Sequence, residues 1–506
     1  MQDADIEVLI VGAGPIGLFL ANECARRGLT FRIVEARSGQ SAHSKALAVM
    51  PRTMEIFDMA GVAGPFLQRA NRVATVAMVS RRRTLARIAF RPAHTPYRFV
   101  AMVPQDTTER LLVEELRRKG GAVEYDTTCL SVEEQRNGRV DVTLEHNGKT
   151  SHVTAGFVVG CDGAHSRVRH LLNLPFEGKR YDVSFMLADV MTNEWLADTL
   201  HLCPHPSGAL AIFPMSATRC RVVATIERAA DDAPSLDMVR RLLGERAPAG
   251  IEARSLVWSS YFSIHHRYAG QLRAGRIFIA GDAAHIHSPF GGQGMNTGLH
   301  DVWNLVWKLD LATRGYAGEE LLASYAAERL PVIRRVIGTT HILTRVMDAR
   351  SSLVQMVRNM AIPLVTRLPA FQRAFIMNLS GLGVAYGGSP IVDGAGERYF
   401  DETLSGGDRI RSRFLLLLAD DAPKPDLEAA ARFAGSWSHV LELRRGRTSG
   451  LKLIRPDGYV AYAARGGLSA GLQSVHSLLK RQIIRSESTV RNSQAVEPTR
   501  ESSKIN

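Results

Sequence analysis

Several things are scarce in this chain, and each scarcity excludes a class of protein. Its 506 residues hold five cysteines, at positions 24, 129, 161, 203 and 220, with no C-x-x-C pair and none after Cys220. That odd, scattered set excludes a disulfide framework and a cysteine zinc site, and predicts a reduced, cytoplasmic chain. Long apolar runs are missing too. The longest candidate, Phe414–Ala419, is far short of the roughly 18–20 residues of a membrane helix, so no membrane span is expected. The opening Met1-Gln2-Asp3-Ala4-Asp5 is acidic where an export signal would be basic. Acidic charge is in deficit: 63 basic residues against 50 acidic leave +13. Such a balance suits nucleic acid, an anionic surface, or anionic small molecules. Lys and Arg are scattered among acids along most of the chain. The clusters Arg81-Arg82-Arg83 and Arg444-Arg445-Gly446-Arg447 lack interleaved aromatics for base stacking. The charge is therefore read as a bias toward an anionic cofactor and substrate, with no nucleic acid. Fixed-period repeats are absent.

What is present is a multidomain globular composition, 45% apolar and 22% charged. Ile6–Val11 reads as a strand covered on both faces, and Gly12-x-Gly14-x-x-Gly17 follows at once. Apolar residues at helical spacing run from Leu18 to Ala25, and Gly28 marks a stop. Phe31–Val34 is a second strand, ending in Glu35. Further on come a helix over 107–119, hairpins over 122–155, a buried strand at 157–160 and β-rich runs over 180–265. A strand at 276–280, a helix over 297–313, more helices over 319–380 and a small α/β unit over 391–478 follow.

The glycine triplet alone would be a weak signal. Here it leaves a buried strand, opens a helix and is answered by an acid at the end of the next strand, which is the context of a dinucleotide site. Gly12 permits the turn, Gly14 lets backbone approach a pyrophosphate and Gly17 lets helix and strand pack closely. The helix start offers N–H groups to phosphate, and Glu35 can bind ribose hydroxyls. Cys161-Asp162-Gly163-Ala164-His165-Ser166-Arg167-Val168-Arg169 also leaves a buried strand. So does Gly281-Asp282-Ala283-Ala284-His285, before the glycine-rich run Pro289–Asn296 and a helix. His285 and His287 have no third ligand at usable spacing, so no metal is expected.

Together the three motifs resemble the group A flavoprotein aromatic hydroxylases, the para-hydroxybenzoate hydroxylase family, in its phenol/pentachlorophenol monooxygenase and polyketide hydroxylase branch. The resemblance covers about residues 6–345. It implies an α/β fold: a discontinuous Rossmann-like FAD domain (1–75, 100–180, 270–345) and an inserted substrate sheet (76–99, 181–269). A helical connection (346–390), a thioredoxin-like domain (391–478) and a polar tail (479–506) complete it. The thioredoxin-like reading rests on Leu453–Ala461. With no cysteine there, thiol–disulfide exchange is excluded.

By the same resemblance, Gly12, Gly14, Gly17 and Glu35 match the adenosine diphosphate site. Lys45 stands where the family often has an arginine near the pyrophosphate, and Gln105 matches a flavin-chain contact. Asp162 and Arg169 match a motif serving FAD and transient NADH or NADPH. Asp282 matches the ribityl carboxylate, and Gly294, Met295 and Asn296 the backbone beside the flavin pyrimidine. Pro289 matches a proline on the substrate side, and Arg221 an arginine rising from the sheet toward the flavin. Tyr325-x-x-Glu328-Arg329 is read as packing and surface. The implied reaction is NAD(P)H- and O2-dependent hydroxylation of a phenolic or polycyclic aromatic substrate through a flavin C4a-hydroperoxide. Epoxidation, Baeyer–Villiger oxidation and antibiotic inactivation share the fold and remain alternatives, as does a homodimer. A halogenase is disfavoured, because no Trp-x-Trp-x-Ile-Pro segment exists. Tyr97, His201, His205, Tyr261 and His265 are the polar candidates for a general base.

Overall fold

A computed structural model describes residues 6–40, 46–80, 83–92, 94–195, 197–229, 231–288, 291–401, 404–407, 412–464 and 467–484, without the side chains of 180–183, 264 and 265. Lys45 and Pro289 lie outside the described residues, as does the side chain of His265.

The opening strand Ile6–Val11 sits inside an eight-stranded sheet, parallel to Phe31–Val34 on one side and to Lys149–Gly160 on the other. Ile277–Ile279 extends this parallel set beyond Lys149–Gly160. The near-continuous apolar sequence of the opening strand follows from that central position, since both faces are covered. Helix Pro15–Arg27 crosses one face, and helices Gln105–Arg118 and Gly294–Thr313 pack beside it. The hairpin strands Thr127–Glu134 and Val140–His146 add antiparallel pairing to the long strand 149–160.

A second eight-stranded sheet runs Thr75–Ser80, Arg83–Ala89, Phe176–Thr192, Thr199–Cys203, Leu210–Pro214, Arg219–Ile226, Ala253–Ala269 and His285–Ile286 in chain order. Its two faces are covered differently. Phe185, Leu187, Leu202, Phe213 and Val223 face Met347 and Ile376. Met186, Ala188, Ile212 and Val222 pack against the helix Leu236–Arg246. That helix was not anticipated among the β-rich runs. The missed signal for its start is Ser235, a favoured cap residue, which accepts the Met238 N–H at 3.2 Å.

The C-terminal unit is a four-stranded sheet in the spatial order Leu441–Gly446, Phe414–Ala419, Leu451–Ile454, Val460–Ala464. The first two strands are parallel and the rest antiparallel. Helix Leu468–Gln482 passes the point where a polar tail was expected to begin. Leu479 and Ile483 are buried there, so the apolar helical face overrides the polar composition.

Helix Pro15–Arg27 also carries a buried ion cluster. Glu23 is paired with Arg26 at 2.8 Å and with Arg27. Burial alone would raise the Glu23 carboxyl, but the two guanidinium groups outweigh it and hold it at about 2, against 4.5 ordinarily. A folded value below the unfolded one contributes stability above pH 4.5, lost as pH falls toward 2. The ceiling on that contribution is ~3 kcal/mol. Urea midpoints of wild type and Glu23→Gln should therefore converge as pH falls from neutrality through 4.5; a gap constant with pH would contradict the pairing.

Candidate active site

Three loops leave the carboxyl ends of three neighbouring parallel strands: 12–17, 161–169 and 281–285. Register brings them together. Gly12 N–H donates to Val34, Cys161 N–H to the Val11 carbonyl, and Ala280 N–H to the Gly160 carbonyl. Ligands in open α/β sheets bind at this edge.

The glycines are there for space. Gly12 has φ +102°, and a Cβ on it would lie 2.6 Å from the Cys161 carbonyl oxygen. A Cβ on Gly17 would lie 1.9 Å from the Gly12 oxygen. At Gly14 the same position is open, with nothing within 4 Å. Gly14 precedes helix Pro15–Arg27, whose start has no side-chain cap. The glycine requirement is thus steric at 12 and 17, and an open approach at 14.

Glu35 accepts the Ala13 N–H at 2.8 Å and the Arg37 N–H at 3.1 Å. Burial opposes its charge, but the Arg37 guanidinium and these N–H groups hold the carboxyl below its usual range. Asp162 accepts the Val168 N–H at 3.1 Å through Oδ2, while its Oδ1 is buried without a hydrogen-bond partner. Arg169 is buried. It donates to the Ala283 carbonyl at 2.9 Å and the Ala164 carbonyl at 3.0 Å, with its guanidinium 3.9 Å from the Phe176 ring. It ties the second loop to the third instead of standing open at the surface.

Asp282 is exposed in the short turn Gly281–Ala283. Helix Gly294–Thr313 starts without a side-chain cap, so the N–H groups of Gly294, Met295 and Asn296 form its positive end. The Asn296 side chain accepts the Met50 N–H at 2.9 Å and donates to the Ala48 and Gly292 carbonyls at 2.8 Å. Gln105 accepts the Ala46 N–H at 3.1 Å, and Arg221 reaches the Ala46 carbonyl at 3.2 Å. Arg221 is itself held bidentate by Asp189 at 2.7 and 3.0 Å. Gln105 and Arg221 therefore fix the backbone that follows Lys45.

Residues 5–340 match the family described as FAD binding domain. The chain is 32% identical to 6-methylpretetramide 4-monooxygenase of Streptomyces rimosus, covering 93% of this chain and 94% of that one. It is 29% identical to pentachlorophenol 4-monooxygenase of Sphingobium chlorophenolicum, covering 76% and 72%. Among solved structures, OxyS anhydrotetracycline hydroxylase from Streptomyces rimosus superposes with a TM-score of 0.77 at 28% identity, over 95% of this chain and 99% of that one. This chain belongs to the FAD-binding monooxygenase family. Its cofactor is FAD.

The residues of this flavoprotein fit that group. The open space at Gly14, the uncapped helix start behind it and the unpartnered Asp162 Oδ1 make a cradle whose polar groups lack protein partners. Sequence reasoning missed what braces it. Asp301 accepts the Gly281 N–H at 3.1 Å, lies 2.7 Å from His285 Nε2 and pairs with Arg329 at 2.8 Å. Arg329 also reaches the Thr297 carbonyl at 3.2 Å. The available signal was the set of polar residues, His300, Asp301, Asn304 and Lys308, at helical spacing among the apolar residues of 299–309. The surface reading of Glu328 and Arg329 is corrected: both are buried, because Asp301, Lys308 and Arg455 supply opposite charges inside the protein.

The base candidates divide by sheet face. His201 follows the parity of Cys203, whose side chain packs on the far face, and its ring lies 4.4 Å from Trp195. Burial pulls it down to about 4. Tyr261 donates to Met238 sulfur at 3.2 Å, on the Leu236–Arg246 side. Tyr97 packs with Phe99 and belongs to the core cluster of the first sheet. His205 accepts the Ser207 N–H at 3.2 Å. His201 and Tyr261 thus lie on the face opposite the one carrying Phe185, Phe213, Trp258 and Phe262.

Proposed function

We propose that this monooxygenase hydroxylates a phenolic, polycyclic substrate of aromatic polyketide type, with NAD(P)H as electron donor. The observation that carries the substrate class is the apolar, aromatic sheet face. Phe185 and Phe262 stack there with centroids 5.6 Å apart, and Phe213 and Trp258 share the face. Such a wall suits a flat, fused-ring substrate and excludes water from it. The names of two relatives agree with this reading, one acting on 6-methylpretetramide and one on anhydrotetracycline.

FAD supplies the oxygen-activating chemistry when bound. The chain's part is to bind, orient and polarise. Gly12, Gly14 and Gly17 open the approach to the pyrophosphate, and Glu35 and Asp162 take hydroxyl donors. Asp282 holds the ribityl chain. The start of helix Gly294–Thr313 faces developing negative charge with its N–H groups. Lys45, Pro289 and Arg221 belong to the same assignment. The proposal keeps the division into a split FAD domain, an inserted sheet domain and a C-terminal unit of thioredoxin-like type, in a cytoplasmic enzyme. Support for the last unit is its strand order, a parallel βαβ pair followed by an antiparallel pair and a helix. No helix among the described residues is long and apolar enough to cross a membrane.

The test is direct. Purified protein should be yellow and release FAD, and one member of a panel of phenols, anthracyclinones and tetracycline precursors should accelerate NAD(P)H oxidation. The product should gain one oxygen by mass. A panel with neither acceleration nor oxygen gain rejects the substrate class. In the same preparation, Asp282→Ala should lose FAD while protease resistance of the C-terminal unit is kept; full flavin content would remove Asp282 from the site.

A further inference from the structure

The helix Ser352–Val365 is built inside out. Its buried residues are polar, Gln355 and Arg358. Gln355 donates to the Ala349 and Arg350 carbonyls at 3.1 and 3.0 Å, and Arg358 to the Val346 carbonyl at 3.1 Å. Its apolar residues point outward at helical spacing. Leu353, Met356, Val357, Met360 and Leu364 are all exposed, Met360 by 70% and Leu364 by 67%. Ten of the twelve large apolar side chains exposed among the described residues fall between Ile342 and Phe371. A patch of this kind marks a surface that is covered in use.

Charge says by what. Residues 331–390 contain seven arginines, no lysine and one acid, Asp348, which is six of the chain's thirteen surplus positive charges. Arg345, Arg350, Arg367 and Arg373 are exposed, Arg350 beside Glu227 at 3.3 Å. We propose that this helical face docks on an anionic lipid surface, apolar side chains entering the headgroup region and arginines meeting the phosphates. Exposed apolar residues within a strongly basic, acid-poor segment are the signature of an interfacial helix. A second copy of the chain would set the same arginine-rich segment against itself. Nucleic acid would leave the aliphatic side chains without a role.

The inner sides of the same helices carry Leu343, Met347, Phe375, Ile376 and Leu379, which pack toward the aromatic sheet face. A substrate dissolved in the bilayer would thus meet the wall of its own pocket at the docking helices. This last step rests on the proposed substrate class; docking itself does not.

Flotation of the full-length, FAD-loaded protein tests the docking. It should float with equimolar phosphatidylcholine–phosphatidylglycerol vesicles, less with phosphatidylcholine alone, and less again as salt rises. The double variant Met360→Glu/Leu364→Glu should lower the floated fraction about tenfold, and Arg367→Glu/Arg373→Glu should remove the preference for the anionic vesicles. The flavin spectrum of both variants should stay that of wild type. Wild type that stays down with the anionic vesicles overturns the proposal. So does a wild-type dimer that Met360→Glu/Leu364→Glu splits, which would assign the face to a second copy.

Discussion

Gly17→Ala is expected to yield protein with at most about a tenth of the normal flavin content, a loss of ~1.4 kcal/mol or more in FAD binding. The added Cβ would sit 1.9 Å from the Gly12 oxygen and 3.1 Å from the Gly12 carbonyl carbon, both of them backbone. Gly12 cannot retreat. Its own Cβ direction is closed by the Cys161 carbonyl and Asp162, and its φ of +102° is available to almost no other residue. The turn must open, which separates the helix start from the strand it follows. Overpacking of this sort costs about 1–3 kcal/mol in stability, occasionally more. Gly14→Ala makes the companion experiment. Its φ is −73° and its Cβ position is empty, so the apo fold should be unharmed. If FAD backbone passes through that space, Gly14→Ala binds less FAD at unchanged urea midpoint, whereas Gly17→Ala falls in both. Visible absorbance per mole of protein and urea denaturation of the apo form read the two effects. Full flavin content in Gly17→Ala would show that the turn is not the pyrophosphate cradle.

Glu328→Ala is expected to lower stability by about 3–5 kcal/mol, because it strands buried charges. Glu328 accepts from Arg455 at 2.9 Å and through a second short contact of 2.5 Å, from Lys308 at 3.0 Å, from Asn304 at 2.6 Å and from Ser389 at 2.6 Å. Burial would raise its carboxyl, yet Arg455 and Lys308 hold it well below the usual carboxylate range. The pairing therefore contributes above the ordinary carboxylate value of 4.5 and is lost on acidification. Burial in turn pulls the Lys308 ammonium down to about 8 despite Glu328. Arg455 and Asp457 belong to the C-terminal unit, and Arg52 donates to the Asp457 carbonyl at 2.9 Å. Removing Glu328 should accordingly loosen that unit first, and limited proteolysis should cut it free sooner than in wild type. A variant that melts and digests like wild type would mean that the remaining Asp457 suffices for both cations.

The strands and loops of the FAD region were legible because their requirements are local. A glycine that must turn or be approached announces itself within six residues, and a strand covered on both faces is apolar throughout. The charged interior was not legible. Arg455 and Glu328 lie far apart in sequence, so Tyr325-x-x-Glu328-Arg329 reads as a solvent-facing helix until the partner is known. The placement of the base candidates was not legible for another reason. Side chains alternate along a strand, and the face that His201 and Tyr261 occupy depends on cover that composition does not reveal. Arg169 matches by resemblance a motif serving FAD and NAD(P)H, but its bond to the Ala283 carbonyl, in a loop more than a hundred residues away, was not legible in that motif.

The opening strand pairs with residues 155–160, and that partner in turn pairs with 277–279. A ribosome therefore releases the first strand of the sheet long before the strands that flank it on one side exist. Sheets assembled from such distant segments form slowly and expose sticky intermediates. The first βαβ turn must wait, half sheltered by Phe31–Val34 alone, until the third loop has been made. During synthesis, then, FAD has no complete seat to bind until the helix start at Gly294 has been made, which keeps flavin loading out of the first half of translation.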